Sequence, residues 1–503
     1  MKKTFFVKII TLLTIITMLM LSTISCFKPT TETSDSTVKS SDTTNTLETT
    51  DPNYDKNGYW KDDIPDDLKF TGQTVTILAW NDVEHEEFNP ESDTGDPVND
   101  SLVARNRTVE ERLGITLEFD RSQDGNSANT SAWKTYVGTQ VKVGSNFDIM
   151  AGYSLSVATC AAAGYNYNLL DEECSYLNFD QPWWPDSLID LATVHDKLYF
   201  ASGDISTNAL YMMYVCFVND SIIENHGLTS PSVLVDQNEW TYDKFIEMCE
   251  GIYVDNNGNQ LKDVGDIFGY MTSGIHTDPW FYGCGGLFVD KDENGDLIVS
   301  PTLSGDEGEK VLDTFTKINK LLWDSSDGIY TTNVNHQIEF ANGNLLFATD
   351  RCRIAITQLN TNIDLDYSIV PVPKYDSDQE NYITLMGNPF TLYTMPSDCQ
   401  NPEMCSAVIE VYASEGYRQV TPALFETTLK IKYVSDEISS RMYDIIRENL
   451  CFDLGRIHST DLISQSTIKN IYINNAAASW TTAAISATRS LEARLDILKQ
   501  IYE

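Results

Sequence analysis

The sequence predicts an α/β protein built as two lobes, and three observations carry this. Strand-like runs alternate with helix-like runs through nearly the whole chain, 503 residues would make a single sheet unusually large, and no repeat of solenoid or propeller period is visible. Composition agrees with a large folded body. Apolar residues make up 42% and charged residues 21%, ordinary globular usage that excludes disorder over most of the chain. With 34 Lys and Arg against 74 Asp and Glu, the net charge is −40, a field that repels nucleic acid and anionic lipid surfaces. Binding of polyanions is therefore set aside.

Residues 1–25 read as an export signal: Lys2, Lys3 and Lys8 precede an apolar run over 9–21 that is too short to span a bilayer. The run ends at Thr23-Ile24-Ser25-Cys26, which resembles the lipobox of bacterial lipoproteins, with Thr23 where Leu is usual. That resemblance makes Cys26 the lipidated N-terminus; plain secretory cleavage is the alternative. The Ser/Thr-rich segment 26–65 has too few large apolar side chains to offset its chain entropy and reads as a flexible tether. Nine cysteines follow Cys26 with no CxxC pair, and several sit in apolar runs where free thiols act as small hydrophobes.

The body begins near Asp66. Residues 74–80 form a buried strand, 100–113 a helix with Asn99 or Asp100 near its N-cap and Gly114 after its last turn, and 115–119 an alternating strand. Strand, helix, strand predicts a βαβ unit with parallel pairing. A helix over 131–143 leads to a buried strand over 147–152 ending at glycine, the place where open α/β sheets carry ligand loops. Further strands are expected over 197–202, 210–217 and 369–372, and helices over 242–252, 307–322, 404–413, 437–449 and 483–502. Asn294-Gly295 between two apolar triplets predicts a hairpin turn.

Several stretches, in order, resemble the extracellular solute-binding proteins of bacterial ABC importers, in the cluster that includes the maltodextrin-binding proteins. They are Thr74 to Trp80, Val98-Asn99-Asp100 through Arg112-Leu113-Gly114, Phe147-Asp148-Ile149-Met150, Phe217-Val218-Asn219-Asp220, Asn238-Glu239-Trp240-Thr241, Phe340-Ala341-Asn342-Gly343, Ile369 to Tyr375 and Cys451 to Gly455. The resemblance implies a periplasmic-binding-protein-like fold, with an interlobe cleft and hinge crossovers near 208–215, 387–397 and 454–460. The lobes would be discontinuous, 66–209 with 394–452 and 213–390 with 456–503. It further implies a monomer on the extracellular face of the cell membrane, held by its N-terminal lipid, with a carbohydrate ligand, an ABC permease as partner and no cofactor.

A neutral sugar offers apolar faces and a rim of hydroxyls, so its site needs aromatic platforms beside Asp, Asn, Arg and backbone donors. Trp80-Asn81-Asp82 and Tyr153-Ser154 follow predicted strands, and Asp204 follows Gly203. Trp280, Tyr282, Gly285 and Gly286 lie in a stretch resembling one that lines the cleft of maltodextrin-binding relatives, and Arg353 stands where relatives place a cleft residue. Each has a plainer reading: Trp80 and Trp280 as core, Asp204 as a turn former, Arg353 as a surface ion pair. Trp183-Trp184 is a second candidate platform. Asp255, Asn257, Asn259 and Asp266 have calcium-loop spacing, yet Gln260 replaces the turn glycine, and a solvated turn is the alternative. No HExxH, GxSxG, Walker A or GxGxxG motif occurs, and the six His residues are scattered with no metal-ligand spacing. A carbohydrate-active surface enzyme stays open as the alternative function, because glycosidase carboxylates need no sequence spacing.

Overall fold

Two separate sheets organise the chain, and the first is closed by a strand that arrives from beyond the second in sequence. The computed structural model describes residues 53–503 apart from 92–93, 360–361, 363, 425–436 and 463–464; the export signal, Cys26 and the start of the tether lie outside the described residues. The first sheet has β1 (Thr74–Ala79), β2 (Thr116–Asp120), β3 (Ile149–Tyr153) and β12 (Thr391–Thr394), in the order β12-β3-β1-β2. β1 pairs in parallel with β2 and β3, and β12 joins β3 antiparallel. The second has β4 (Tyr214–Asn219), β5 (Phe268–Ser273), β8 (Gly328–Thr331), β9 (Leu345–Arg351) and β10 (Tyr367–Val370), in the order β10-β4-β9-β5-β8. Here β5 is parallel to β8 and β9, while β4 runs antiparallel to β9 and β10. β3, β4, β5 and β9 are buried along their whole length, as strands covered on both faces are.

The chain crosses between the sheets after β3 and again before β12. β11 (Thr384–Leu385) and β13 (Leu450–Cys451) pair in parallel, and Met213 bridges to Met386, so three passing segments lie side by side. The turn at Asn294-Gly295 joins β6 (Val289–Lys291) to β7 (Leu297–Val299), as expected.

Helix ends follow local chemistry. Helix Pro97–Leu113 is capped by Asp96, not by Asn99 or Asp100: the Asp96 carboxylate accepts from Val98 N and Asn99 N, both at 3.0 Å, and Pro97 fits the first turn, where no donor is needed. Gly114 ends it at φ 67°, the left-handed position glycine favours. Residues 210–217 divide between helix Thr207–Tyr211 and β4, because Ser206 caps the helix through Ala209 N. Residues 197–202 form only isolated bridges, Lys197 to Val194 and Ala201 to Tyr393. Helix Pro402–Glu415 is buried on nearly every side and packs against helix Pro97–Leu113. Helix Glu437–Glu448 packs against β10 and helix Pro231–Asp236, so it leans on the second sheet although segment 394–452 is expected with the first.

Candidate functional site

Parallel strands point their carboxyl ends the same way, so whatever follows them collects at one edge. In this chain both sheets turn that edge toward each other. Tyr153 ends β3, Tyr214 starts β4 beside the end of β9, and Asp350-Arg351 end β9. Asp278 follows the 3-10 turn Gly274–Thr277 after β5, and Arg456 follows β13.

These residues form a buried polar layer. Arg456 Nη1 donates to Asp278 Oδ2 at 2.5 Å, and the Arg456 guanidinium lies 5.8 Å from the Tyr282 ring centre. The Tyr214 ring sits 5.9 Å from that of His276. Burial pushes the Tyr153 phenol up to about 12, while Arg456 and then Arg351 pull it back. Burial likewise raises the Tyr214 phenol against the same two guanidiniums, and raises the Asp278 carboxyl against Arg456. For Arg456 burial opposes the charge, but Asp278 and the Tyr282 and Tyr214 phenols outweigh it and hold the guanidinium protonated.

The decisive feature is what this layer leaves unpaired. Tyr214 OH, Asp278 Oδ1, Arg456 Nε and Nη2, and Asn388 Nδ2 are buried with no hydrogen-bond partner among the described residues. An unsatisfied buried polar group costs about 1–3 kcal/mol, so donors and acceptors of this density call for a polar guest. The mixture of an acceptor, guanidinium donors and a hydroxyl that serves as either matches a polyhydroxylated molecule.

Among the residues expected at the site, Tyr153 lies in this layer, and Ser154 beside it donates from Oγ to Asn388 O at 2.5 Å. Tyr282 is adjacent, its OH on Asp453 Oδ2 at 3.0 Å. Trp80 is fully buried, with Nε1 donating to Thr391 Oγ1 at 3.1 Å and its ring 5.4 Å from that of Tyr153. Trp280 is equally buried: Nε1 donates to Tyr270 OH at 2.9 Å, and Tyr242, Phe245 and Tyr270 meet its ring edge-on. Neither indole presents a face to a solute in this structure, because each completes the packing under its sheet. Asn81 donates to Asp124 Oδ1 at 3.1 Å, and Asp82 accepts from Gly125 N at 2.7 Å, so both shape the loop after β1. Gly285, at φ 88°, makes the turn after helix Asp278–Gly283, and at Gly286 a Cβ would lie 2.6 Å from Phe281 O; their role is local geometry. Arg353 pairs with Glu84 of the loop after β1.

Asp204 lies elsewhere. Its carboxylate accepts from Thr421 Oγ1 at 2.9 Å and pairs with Arg447 at 2.5 Å, and it lines a cavity of about 540 Å³ with Trp183, Trp184, Met386, Arg447 and Phe452. The calcium-like loop closes on itself. Asp255 accepts from Gly258 N and Gln260 N, Asn257 and Asn259 turn their amides toward Asp263, and Asp266 accepts from Asn256 N and Tyr253 OH. Its oxygens serve its own turn and do not converge on a cation.

Sequence reasoning missed Tyr214, Asp278, Arg351, Asn388 and Arg456. Two of them lay within reach, since Asp278 adjoins the Pro279-Trp280 stretch and Arg456 follows the closing motif that ends at Gly455.

No protein-family model and no curated protein sequence matches the chain. Solved structures do match its fold. A sugar transporter from Rhizobium etli in an open conformation is 13% identical, with a TM-score of 0.56 over 84% of this chain and 99% of its own. The maltose/maltodextrin-binding domain from Bdellovibrio bacteriovorus bound to maltotriose is 16% identical, with a TM-score of 0.51 over 84% of this chain and all of its own. An ABC transporter solute-binding protein from Thermotoga lettingae bound with α-D-tagatose is also 16% identical, with a TM-score of 0.51 over 83% of this chain and 100% of its own. The second and third of these are described as binding proteins, and the fold of this chain is the two-lobe, periplasmic-binding-protein-like α/β fold.

Proposed function

We propose that the chain is the substrate-binding lipoprotein of an ABC-type importer, capturing a carbohydrate, an oligosaccharide by resemblance, between its two lobes and delivering it to a membrane permease. The observation that carries this is the buried layer between the sheet edges, where Asp278, Arg456, Tyr214 and Asn388 hold unpartnered donors and acceptors. Support comes from the fold, whose similar structures include proteins described with maltotriose and α-D-tagatose bound. In this reading Arg456 and Asp278 recognise hydroxyls, Tyr214 bridges them, and Tyr153 supplies the aromatic wall from the first sheet. The lobes run 66–209 with 394–452, apart from helix Glu437–Glu448, which sides with the second, and 213–390 with 456–503; Cys26 carries the lipid, and the protein works as a monomer outside the cell. Hinge closure couples occupancy to the shape presented to the permease, so capture needs no catalytic group. No helix of the described residues is long and apolar enough to cross a membrane.

The test is a thermal-shift screen of the full chain against mono- and oligosaccharides, with recovery and analysis of any hit. A ligand at a hundred times its dissociation constant adds about 2.7 kcal/mol of stability. A sugar recovered intact supports the receptor, and its stabilisation should vanish in Arg456→Met. A sugar recovered cleaved replaces this reading with a glycoside hydrolase.

A further inference from the structure

Beside the polar layer, two of the six scattered histidines come together after all. His276 lies in the turn after β5, His336 on helix Asn335–Ala341, and Asp350 near the end of β9. His276 Nδ1 is 3.2 Å from Asp350 Oδ1, and His336 Nε2 is 2.8 Å from Asp350 Oδ2. The imidazole centres are 4.7 Å apart, and one ligand-capable atom from each of the three residues lies within 4.8 Å of the others. All three side chains are buried. Around a tetrahedral ion with bonds of about 2.1 Å, neighbouring ligand atoms stand roughly 3–3.5 Å apart, so a small adjustment of these side chains admits an ion at their centre.

We propose that His276, His336 and Asp350 form a binding site for one divalent transition-metal ion of the zinc class, held by two imidazole nitrogens and one carboxylate oxygen. The donor set chooses the metal: paired imidazoles suit zinc, cobalt or nickel, whereas calcium and magnesium take oxygen. Outer contacts orient the ligands. Ser273 Oγ lies 3.4 Å from His336 Nδ1 and can take an Nδ1 proton, so that Nε2, which shares a proton with Asp350 Oδ2 at 2.8 Å, gives that proton up when an ion binds. Gln337 Nε2 donates to Asp350 Oδ2 at 2.7 Å, and the Arg351 backbone N–H donates to Oδ1 at 2.6 Å, so the carboxylate is held from outside the cluster. The nearby charges act in both directions. Arg351 Nε, 3.6 Å from Asp350 Oδ1, opposes a cation; Asp278, close enough to His276 for the two to interact and carrying an unpartnered Oδ1, offsets it. None of its three ligands is among the groups assigned to the solute, although Asp278, which is, lies beside them.

The experiment is to strip the full chain with a chelator, remove the chelator, and titrate with Co²⁺ alone, reading bound cobalt by elemental analysis and its visible d–d absorption. The expected result is one equivalent per chain, displaced by Zn²⁺ and absent in His336→Ala and Asp350→Asn, with His226→Ala unchanged. Gln337→Leu leaves all three ligands in place, so it should keep one equivalent at roughly tenfold weaker affinity, which keeps the test readable if the ligand variants fail to fold. Failure of the parent chain to retain cobalt, cobalt retained by His336→Ala as by the parent, or cobalt held by Gln337→Leu with the parent's affinity overturns the site and leaves a hydrogen-bonded imidazole–carboxylate–imidazole group.

Discussion

Two regions of the second half of the chain, only two residues apart in sequence, make opposite use of burial. Trp280 heads an aromatic cluster with Tyr242, Phe245 and Tyr270 in which the indole N–H finds the Tyr270 hydroxyl and the rings meet edge to face. Asp278 is as deeply buried, yet one of its oxygens, two nitrogens of its partner Arg456 and the Tyr214 hydroxyl have no partner among the described residues. A closed, satisfied cluster has only stability to give. A buried, unsatisfied one costs stability, which is the ground on which the solute site is proposed there.

The largest effect expected from this contrast is on the charged pair. Asp278→Ala leaves Arg456 buried without its counter-ion and should cost about 3–5 kcal/mol, read from the denaturant midpoint. Replacing both, as Asp278→Leu with Arg456→Met, removes the uncompensated charge, and most of that loss should return. A double variant as unstable as Asp278→Ala would break the comparison, because the pair would then matter through packing, as the Trp280 cluster does.

Trp280→Phe comes next. It removes the indole N–H bonded to Tyr270 and part of the packed surface, for an expected cost of about 1–3 kcal/mol, while affinity for the captured sugar stays unchanged. A stability loss with unchanged affinity by titration calorimetry sharpens the division between the two regions. A drop in affinity without a drop in stability would move Trp280 into the site.

The contrast also explains how far the sequence could be read. β1, β3, β4 and the hairpin around Asn294-Gly295 were legible because apolar runs and turn residues are local signals. The site was not, because a ring that completes a core and a ring that receives a sugar are the same residue type, and only tertiary packing separates them. Trp80 and Trp280 were singled out by position and chemistry, and packing took both. Asp278, Tyr214 and Arg456 come from three elements that meet only when the chain has crossed between the sheets, so no spacing announces them. His276, His336 and Asp350 were hidden by the same topology. The cap lies at Asp96, three or four residues before Asn99 or Asp100, because Pro97 opens the first turn, where no backbone donor is needed.

Another buried acid behaves unlike either region and titrates in an accessible range. Glu410, on helix Pro402–Glu415, accepts from the indole N–H groups of Trp183 and Trp184, both at 3.1 Å. Burial outweighs these bonds and pushes its carboxyl up from 4.5 to about 8. The folded state therefore binds this proton more tightly than the unfolded chain. Its contribution is fully present below about pH 4.5 and is lost as pH rises toward about 8, at about 1.4 kcal/mol per pH unit. Denaturation across that window should show this downward slope in the parent and a flatter one in Glu410→Gln.

The smallest effect tests whether the polar layer is gated. Glu84 follows β1 in the first sheet and Arg353 follows β9 in the second, so their ion pair ties the two sheets' loops together across the layer. Both side chains are partly exposed, 32% and 25%, and such pairs contribute at most about 1 kcal/mol, less in high salt. Glu84→Gln should hardly move the denaturation midpoint. It should instead favour separation of the lobes, giving a larger radius of gyration by X-ray scattering without sugar and up to fivefold faster sugar release, since about 1 kcal/mol corresponds to roughly that factor. The Trp280 cluster, packed within one sheet's half, offers no counterpart: its conservative variant should leave the release rate unchanged, and an equal acceleration in both variants would show that release follows general stability, not this tie.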